Sequence, residues 1–355
     1  MQGRGEWKII TKRPEWGRVN AFFRARGLDD VYFHHDYARL HAGPEDMPVL
    51  FLHECGEDKF MLPLIRRPLP DYLGMPGRYD LETPYGYGGP VSTSQDESFI
   101  DSAWEGFFSW ARKTGVVAGF LRLHPLLDNH CLAGRGMRTR KLRETVFVNL
   151  SAAPGELWSA FKGSHRRAVR KAERSGLEIL VKKNCPEAMK TFMSLYWERM
   201  EELKADDSYF FPEKYFMDLV EIDEDIYIFL AKKDGEVAGG YVFISSSKFV
   251  HYHLGASPRR YSPLRVNNFL MHHAIMHFAG RGHEALHLGG GTTNDPADPL
   301  LRFKGGFSPL RARFHIATFV TDENACLEAR NRWQELYPDA AEKYSGFHLC
   351  YRYRK

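Results

Sequence analysis

Three groups of residues in this chain have types and spacings that could do chemistry. The first is Arg302, Phe303 and Lys304, which stand between Gly289, Gly290, Gly291 and a second glycine pair in LHLGGGTTNDPADPLLRFKGGFSP. Glycine runs weaken regular structure, so a fold keeps them where backbone must approach something closely or take a positive φ. A lysine beside such backbone can neutralise the charge that develops on a reacting carbonyl, the oxyanion task. The second group is a basic cluster of Lys162, Arg166, Arg167, Arg170, Lys171 and Arg174, with only Glu173 to offset it. It lacks the alternating sign that i,i+4 pairing favours. With RGMRTRKLR just upstream, it points to contact with phosphate or RNA. The third group, His283 to His287, spells H-E-x-x-H, which chelates zinc only on a helix. Here it lies beside glycines in an apolar stretch too short for one. On a strand its histidines stand four steps of ~3.3 Å apart, roughly 13 Å, too far to share an ion, and no metal is expected.

These residues need elements to hold them. In the first third, MPVLFLHECGEDKFMLPLIRR reads as a hairpin turning at 56–59, followed by the turn-rich PYGYGGPV. A helix is expected over 96–113, where Phe99, Ala103, Phe107 and Trp110 recur at helical spacing, and VVAGFLRLHPLL and ETVFVNL read as strands. From Ser151 the pattern restarts. ELWSAFKGSHRRAVRKAERS reads as one helix closed by Gly176, then LEILVKK as a strand and 186–203 as a helix. A hairpin turning at Asp234 and Gly235 follows, then the strand KFVHYHLGA, the helix VNNFLMHHAIMHFAGRG, the strand ALHLGGG, a loop carrying Lys304, and the strand RARFHIATFV. ENACLEARNRWQELYPDAAEKY is one further helix. The expected organisation is a first α/β domain over 1–150, a second over 151–320, and a C-terminal helix over 321–355 that returns to the first.

Composition limits the partners. With 355 residues, 43% hydrophobic and 14% aromatic, the chain can fill the cores of two domains. A net charge of +4 admits an anionic partner without demanding a polyanion. Five scattered cysteines without a CxxC pair argue against a disulfide framework and a structural zinc site. The N-terminal MQGRGEWKIITKRPEW has no apolar h-region, and no apolar run approaches the ~18 residues of a membrane helix. The expectation is a cytoplasmic protein without integral membrane association, free to meet a substrate at a membrane surface.

HYHLGASPRRYSPLRVNNFLMHHAI and LHLGGGTTNDPADPLLRFKGGFSP, with LWSAFKGSHRRAVRKAERSGLEI and TPYGYGGP, resemble the Fem-type peptidyltransferases and related acyltransferases of the GNAT superfamily. The resemblance covers both halves. It implies two tandem GNAT-like domains, each a mixed sheet flanked by helices, the first on the acceptor side and the second on the donor side. It also implies transfer of an aminoacyl group from aminoacyl-tRNA, as co-substrate, to an amine of a peptide or cell-envelope precursor, with no bound cofactor and no DNA. Lys304, with amides of Gly289 to Gly291, would then hold the tetrahedral oxyanion. Arg265, Asn267 and Asn268 would face the donor, and Arg166, Arg167, Arg170 and Lys171 its phosphates. An acyl-CoA donor acting on an amino sugar or polysaccharide precursor is the alternative. The loop that would hold its pyrophosphate reads Arg260, Tyr261, Ser262, Pro263, Leu264, Arg265, without the glycines of Q/R-x-x-G-x-G/A and with a proline that donates no N–H. A non-catalytic binder of RNA or precursor on the same fold is the third reading. No Ser/His/Asp or Cys/His constellation is present in the pattern, so direct transfer without a covalent enzyme intermediate is expected.

Overall fold

In the computed structural model, which describes residues 5–354, residues 5–28, 32–142 and 313–354 form one unit and residues 29–31 and 143–312 another. The first unit contains β1 (Glu6–Ile10), β2 (Met47–Cys55), β3 (Asp58–Pro68), β4 (Tyr79–Glu82), β5 (Val91–Ser92) and β6 (Val116–Arg122). β1, β2, β3, β4 and β6 lie side by side in that order, β5 pairs with β3, and the β4–β6 pair is parallel. Val49, Leu50, Phe51 and Leu52 of β2 are all buried because helices cover both faces of the sheet. Phe99, Phe107 and Trp110 of α3 (Glu97–Lys113) pack with Phe51, Phe60 and Leu62. On the other side Trp16 and Phe23 of α1 (Arg13–Arg24) and Ala38 of α2 (His35–Leu40) pack with Leu50, Leu52 and Met61. α3 begins where the Asp96 carboxylate accepts from the Phe99 N–H at 3.1 Å.

One buried carboxylate ties the C-terminus to this sheet. Asp80 is fully buried on β4 and accepts from Arg67 Nε at 2.8 Å and from Arg352 Nε at 2.8 Å. Asp80→Ala is expected to cost about 3–5 kcal/mol, because both guanidinium groups lose their shared acceptor. Urea unfolding measures it, and a cost below about 1 kcal/mol would mean that water replaces the carboxylate.

The second unit orders its strands β7 (Arg138–Asn149), β12 (Ala285–Gly289), β11 (Phe249–Ala256), β10 (Glu236–Ser245), β9 (Asp225–Lys233) and β8 (Glu178–Lys183). α5 (Gly163–Arg174) and α8 (Val266–Phe278) pack over one face, where Ala172, Phe229, Phe243, Phe269 and Phe278 share a core. α6 (Pro186–Leu203) and α7 (Glu213–Val220) cover the other, and Gly240 lacks a side chain where the Phe192 ring of α6 lies against it. β11 and β12 run parallel but pair at only three positions, Phe249 with Ala285, Val250 with Leu286 and His251 with His287. Beyond them the two strands part: β11 continues to Ala256, while β12 bulges between His287 and Gly289 and ends.

Several boundaries differ from the sequence reading. The chain divides at 142/143 rather than 150, inside β7, because Val146 and Val148 pair with β12 and join the second core. Residues 313–320 of β13 (Arg311–Val320) belong to the first unit, where Ala317 and Phe319 pack with α3. The single helix expected over 156–175 is two, α4 (Pro154–Ala160) and α5, since Phe161 turns extended to bury its ring. The C-terminal helix likewise divides into α10 (Glu323–Leu336) and α11 (Pro338–Tyr344), because Pro338 cannot continue the first and starts the second. No described helix is long and apolar enough to cross a membrane.

Candidate active site

The loop expected around Lys304 contains a short helix, α9 (Pro299–Lys304). Asp298 starts it, with Pro299 at the first helical position, where a missing N–H costs nothing. The Asp298 carboxylate is buried and accepts from six donors: the N–H groups of Leu300 and Leu301, and the N–H and hydroxyl of both Thr292 and Thr293. Burial alone would push this carboxyl up. The Leu301 N–H and the Thr292 and Thr293 donors more than offset it and hold the group well below the usual carboxylate range. Gly291 is required at this point, since an added Cβ would stand 2.4 Å from the Asp298 carboxyl.

Lys304 ends α9 with its side chain in the protein interior, only 5% exposed. Its Nζ donates to the Gly290 carbonyl at 2.7 Å and lies 5.4 Å from the centroid of the Tyr252 ring. Gly290 follows the end of β12, and Tyr252 is the first residue of β11 beyond the paired segment. The amine therefore sits where the two strands part. Burial lowers its pKa to about 7; Asp298 opposes that shift, and the like charge of Arg143 adds to it. Nζ is thus divided between ammonium and free amine at neutral pH.

α5 holds the far side of α9 in place. His165 Nε2 lies 3.0 Å from the Phe303 carbonyl, and its ring meets Phe307 edge-on at 4.7 Å. The Lys162 N–H donates to the Gly306 carbonyl at 2.8 Å. Gly306 admits no side chain, since an added Cβ would stand 2.1 Å from the His165 ring. The glycines flanking Lys304 thus answer to close approach by the protein's own side chains.

The other residues singled out in the sequence divide into those near Lys304 and those at the surface. Phe303 is half-buried against the core, whereas Arg302 is exposed. Gly290 and Gly291 turn carbonyls toward Lys304 and Arg143 respectively. Arg265 takes a left-handed φ of 62° at the N-cap of α8 and is exposed. Asn267 is exposed and Asn268 half-buried; the Asn267 carbonyl accepts from Tyr241, whose ring packs on Tyr252 at 4.8 Å. On α5, Arg167, Arg170 and Lys171 are exposed, and Arg170 lies 5.6 Å over the Trp158 ring. Arg166 differs, because its guanidinium donates to the Ser159 and Phe161 carbonyls and closes the α4–α5 junction. His287 lies in β12 and His283 in the turn before it, so H-E-x-x-H is not helical here. His287 meets the Thr145 hydroxyl at 2.9 Å.

Sequence reasoning missed three contributors to this site: Asp298, His165 and Arg143. Asp298 followed by proline is a helix-start signal. Arg143 stood inside the quoted basic run without a role of its own.

Residues 159–304 match the family described as acetyltransferase (GNAT) domain, a span that ends at Lys304. The chain shares its fold with the crystal structure of FemX, at 13% identity and a TM-score of 0.68, over 90% of this chain and 98% of that one. It is also similar to the C-terminal domain (DUF2156) of an Agrobacterium fabrum protein named as a lysylphosphatidylglycerol synthetase, at 17% identity and a TM-score of 0.56, over 88% and 94%. A tandem GNAT protein from the clavulanic acid biosynthesis pathway matches at 12% identity and a TM-score of 0.51, over 89% and 99%. No curated protein matches in sequence.

Proposed function

We propose, from the match of residues 159–304 to the acetyltransferase (GNAT) domain family, that this chain is an acyltransferase that moves an aminoacyl group from aminoacyl-tRNA to an amine of a peptide or cell-envelope precursor. The observation that carries the reading is the Lys304 amine, buried between the parted strands β11 and β12 and held by the Gly290 carbonyl. An ester carbonyl entering this gap meets an N–H donor that is already oriented. As the acceptor amine attacks, the carbonyl oxygen gains negative charge, and the ammonium form of Lys304 stabilises it. The C–N bond forms, the C–O bond to the ribose breaks, and the departing oxygen takes up a proton as the amine nitrogen loses one.

The exposed Arg167, Arg170 and Lys171 face supplies the donor's phosphate contacts. Arg166 is left out of this set because the protein's own carbonyls occupy it. Three contacts predict a log-log salt slope near −0.7 to −0.9 each, so that affinity for tRNA falls on the order of twenty-fold between 50 and 200 mM salt. Replacing the three by glutamine is expected to flatten the slope by about two units. A variant that binds tRNA with the wild-type slope would make this face merely solvated and turn the reading toward an acyl-CoA donor.

The pH profile has a defined sign. kcat/KM reports ionisations of the free enzyme. The ammonium form of Lys304 is present below its pKa of about 7 and is lost above it, so kcat/KM is expected to fall as pH rises through about 7. A rate that instead rises through pH 7 and levels off would make the free amine the active form, and Lys304 a general base.

A further inference from the structure

Arg143 is the charged group beside Lys304 that the acyl-transfer chemistry above leaves without a task. It stands on β7, and its stem lies over Gly290, where an added Cβ would come within 3.0 Å of Arg143 Cδ. One Nη donates to the Gly291 carbonyl at 2.8 Å. The Nε is buried and has no hydrogen-bond partner. Among the described residues no carboxylate pairs with Arg143. The nearby Asp298 spends its oxygens on the six donors of its own loop and helix. A half-buried guanidinium with unspent donors is costly unless an anion completes it, and its planar fork suits a two-oxygen anion.

The groups that face the Lys304 amine are Asp298 at the start of α9, Arg143 on β7 and Tyr252 on β11. Of these, Arg143 disfavours a charge on the amine and Asp298 favours one. An anion seated on Arg143 would cancel that repulsion and add an attraction of its own. We propose that Arg143 is an oxyanion-binding residue of the active site, receiving a phosphodiester or carboxylate of a substrate beside Lys304, and that seating this anion puts a proton on Lys304. Docking then converts the amine into the cation that the oxyanion step requires. The proposal rests on the acyl-transfer reading of Lys304 for its purpose, but its binding and proton uptake stand without turnover.

The test uses dimethyl phosphate and acetate, neither of which titrates near neutrality, with calorimetric titration of the full-length protein in two buffers of different ionisation enthalpy. At pH 8 a group titrating near 7 is about nine-tenths deprotonated, so wild-type binding is expected to take up about half a proton or more; at pH 6 uptake is expected to be slight. Arg143→Gln is expected to weaken binding at least ten-fold. Arg143→Lys keeps the charge without the fork and is expected to fall between the two. Lys304→Met is expected to bind without proton uptake. Tighter binding of dimethyl phosphate assigns the donor's phosphodiester to Arg143, and tighter binding of acetate assigns a carboxylate of the acceptor. Undiminished binding by a folded Arg143→Gln variant, no wild-type binding of either probe, or wild-type binding at pH 8 without proton uptake would overturn the proposal. Because no acyl group moves, a positive result with no transfer from aminoacyl-tRNA would sink only the donor assignment.

Discussion

Lys304→Met is expected to lower kcat by roughly 10² or more, about 3 kcal/mol of transition-state stabilisation, and at the same time to make the fold more stable. The second effect follows from burial. In the folded protein the amine titrates near 7, whereas in the unfolded chain it titrates near the ordinary lysine value of about 10.4. The unfolded state therefore binds more protons between those values, and stability rises with pH across that window. Below about pH 7 the fold bears the full penalty, on the order of 5 kcal/mol. Methionine fills the same volume without a charge, so the variant should melt higher than wild type at pH 6 and converge with it toward pH 10. Arginine at this position should restore activity only in part, because its fork aims differently. A methionine variant as active as wild type would remove Lys304 from the site, and one that melts lower would show that the amine is not held against its own charge.

Asp298→Ala is expected to cost about 3 kcal/mol or more, since it removes a helix cap and leaves donors of the 292–301 loop without their acceptor. Its carboxyl is depressed in the folded state, so its contribution is present above the unfolded carboxylate pKa and is lost as pH falls through the folded one. The wild-type advantage over the alanine variant should thus shrink in acid. Asp298 is also the anion that favours the Lys304 ammonium, so the descending limb of kcat/KM should move to lower pH in the variant. Urea unfolding at pH 7 and pH 3 and a pH–rate profile measure both effects. A variant with wild-type stability at pH 7 would mean that water satisfies the loop.

Much of the second unit was legible because its signals are local. Asp234 and Gly235 make the hairpin turn between β9 and β10, with φ of 51° and 85°, and Gly176 follows α5 with φ of 75°. The paired motif around Lys304 was legible as a candidate site because glycines stood on both sides of it. What the glycines accommodate was not. Gly291 and Gly306 make room for Asp298 and His165, and the second of these partners lies some 140 residues away in sequence, beyond any periodicity. The break between α4 and α5 was hidden because the burial of Phe161 and the Arg166 guanidinium decide it, neither of which a local pattern reveals. The parting of β11 and β12 is a matter of register, which apolar patterning does not encode. Arg143 was legible as charge, but its lack of a carboxylate partner among the described residues appears only when every carboxylate near it has been placed.

The central claim is that Lys304, between the parted strands, carries acyl transfer from an aminoacyl ester to an amine. Incubating the protein with tRNA bearing a radiolabelled aminoacyl group and a panel of amine acceptors, with radiolabelled acetyl-CoA as the parallel donor, tests it most directly. Label is expected in a new amide from the aminoacyl-tRNA, dependent on wild-type protein and nearly absent with Lys304→Met. Label moving from acetyl-CoA alone, or moving from aminoacyl-tRNA at the wild-type rate with the methionine variant, would contradict it.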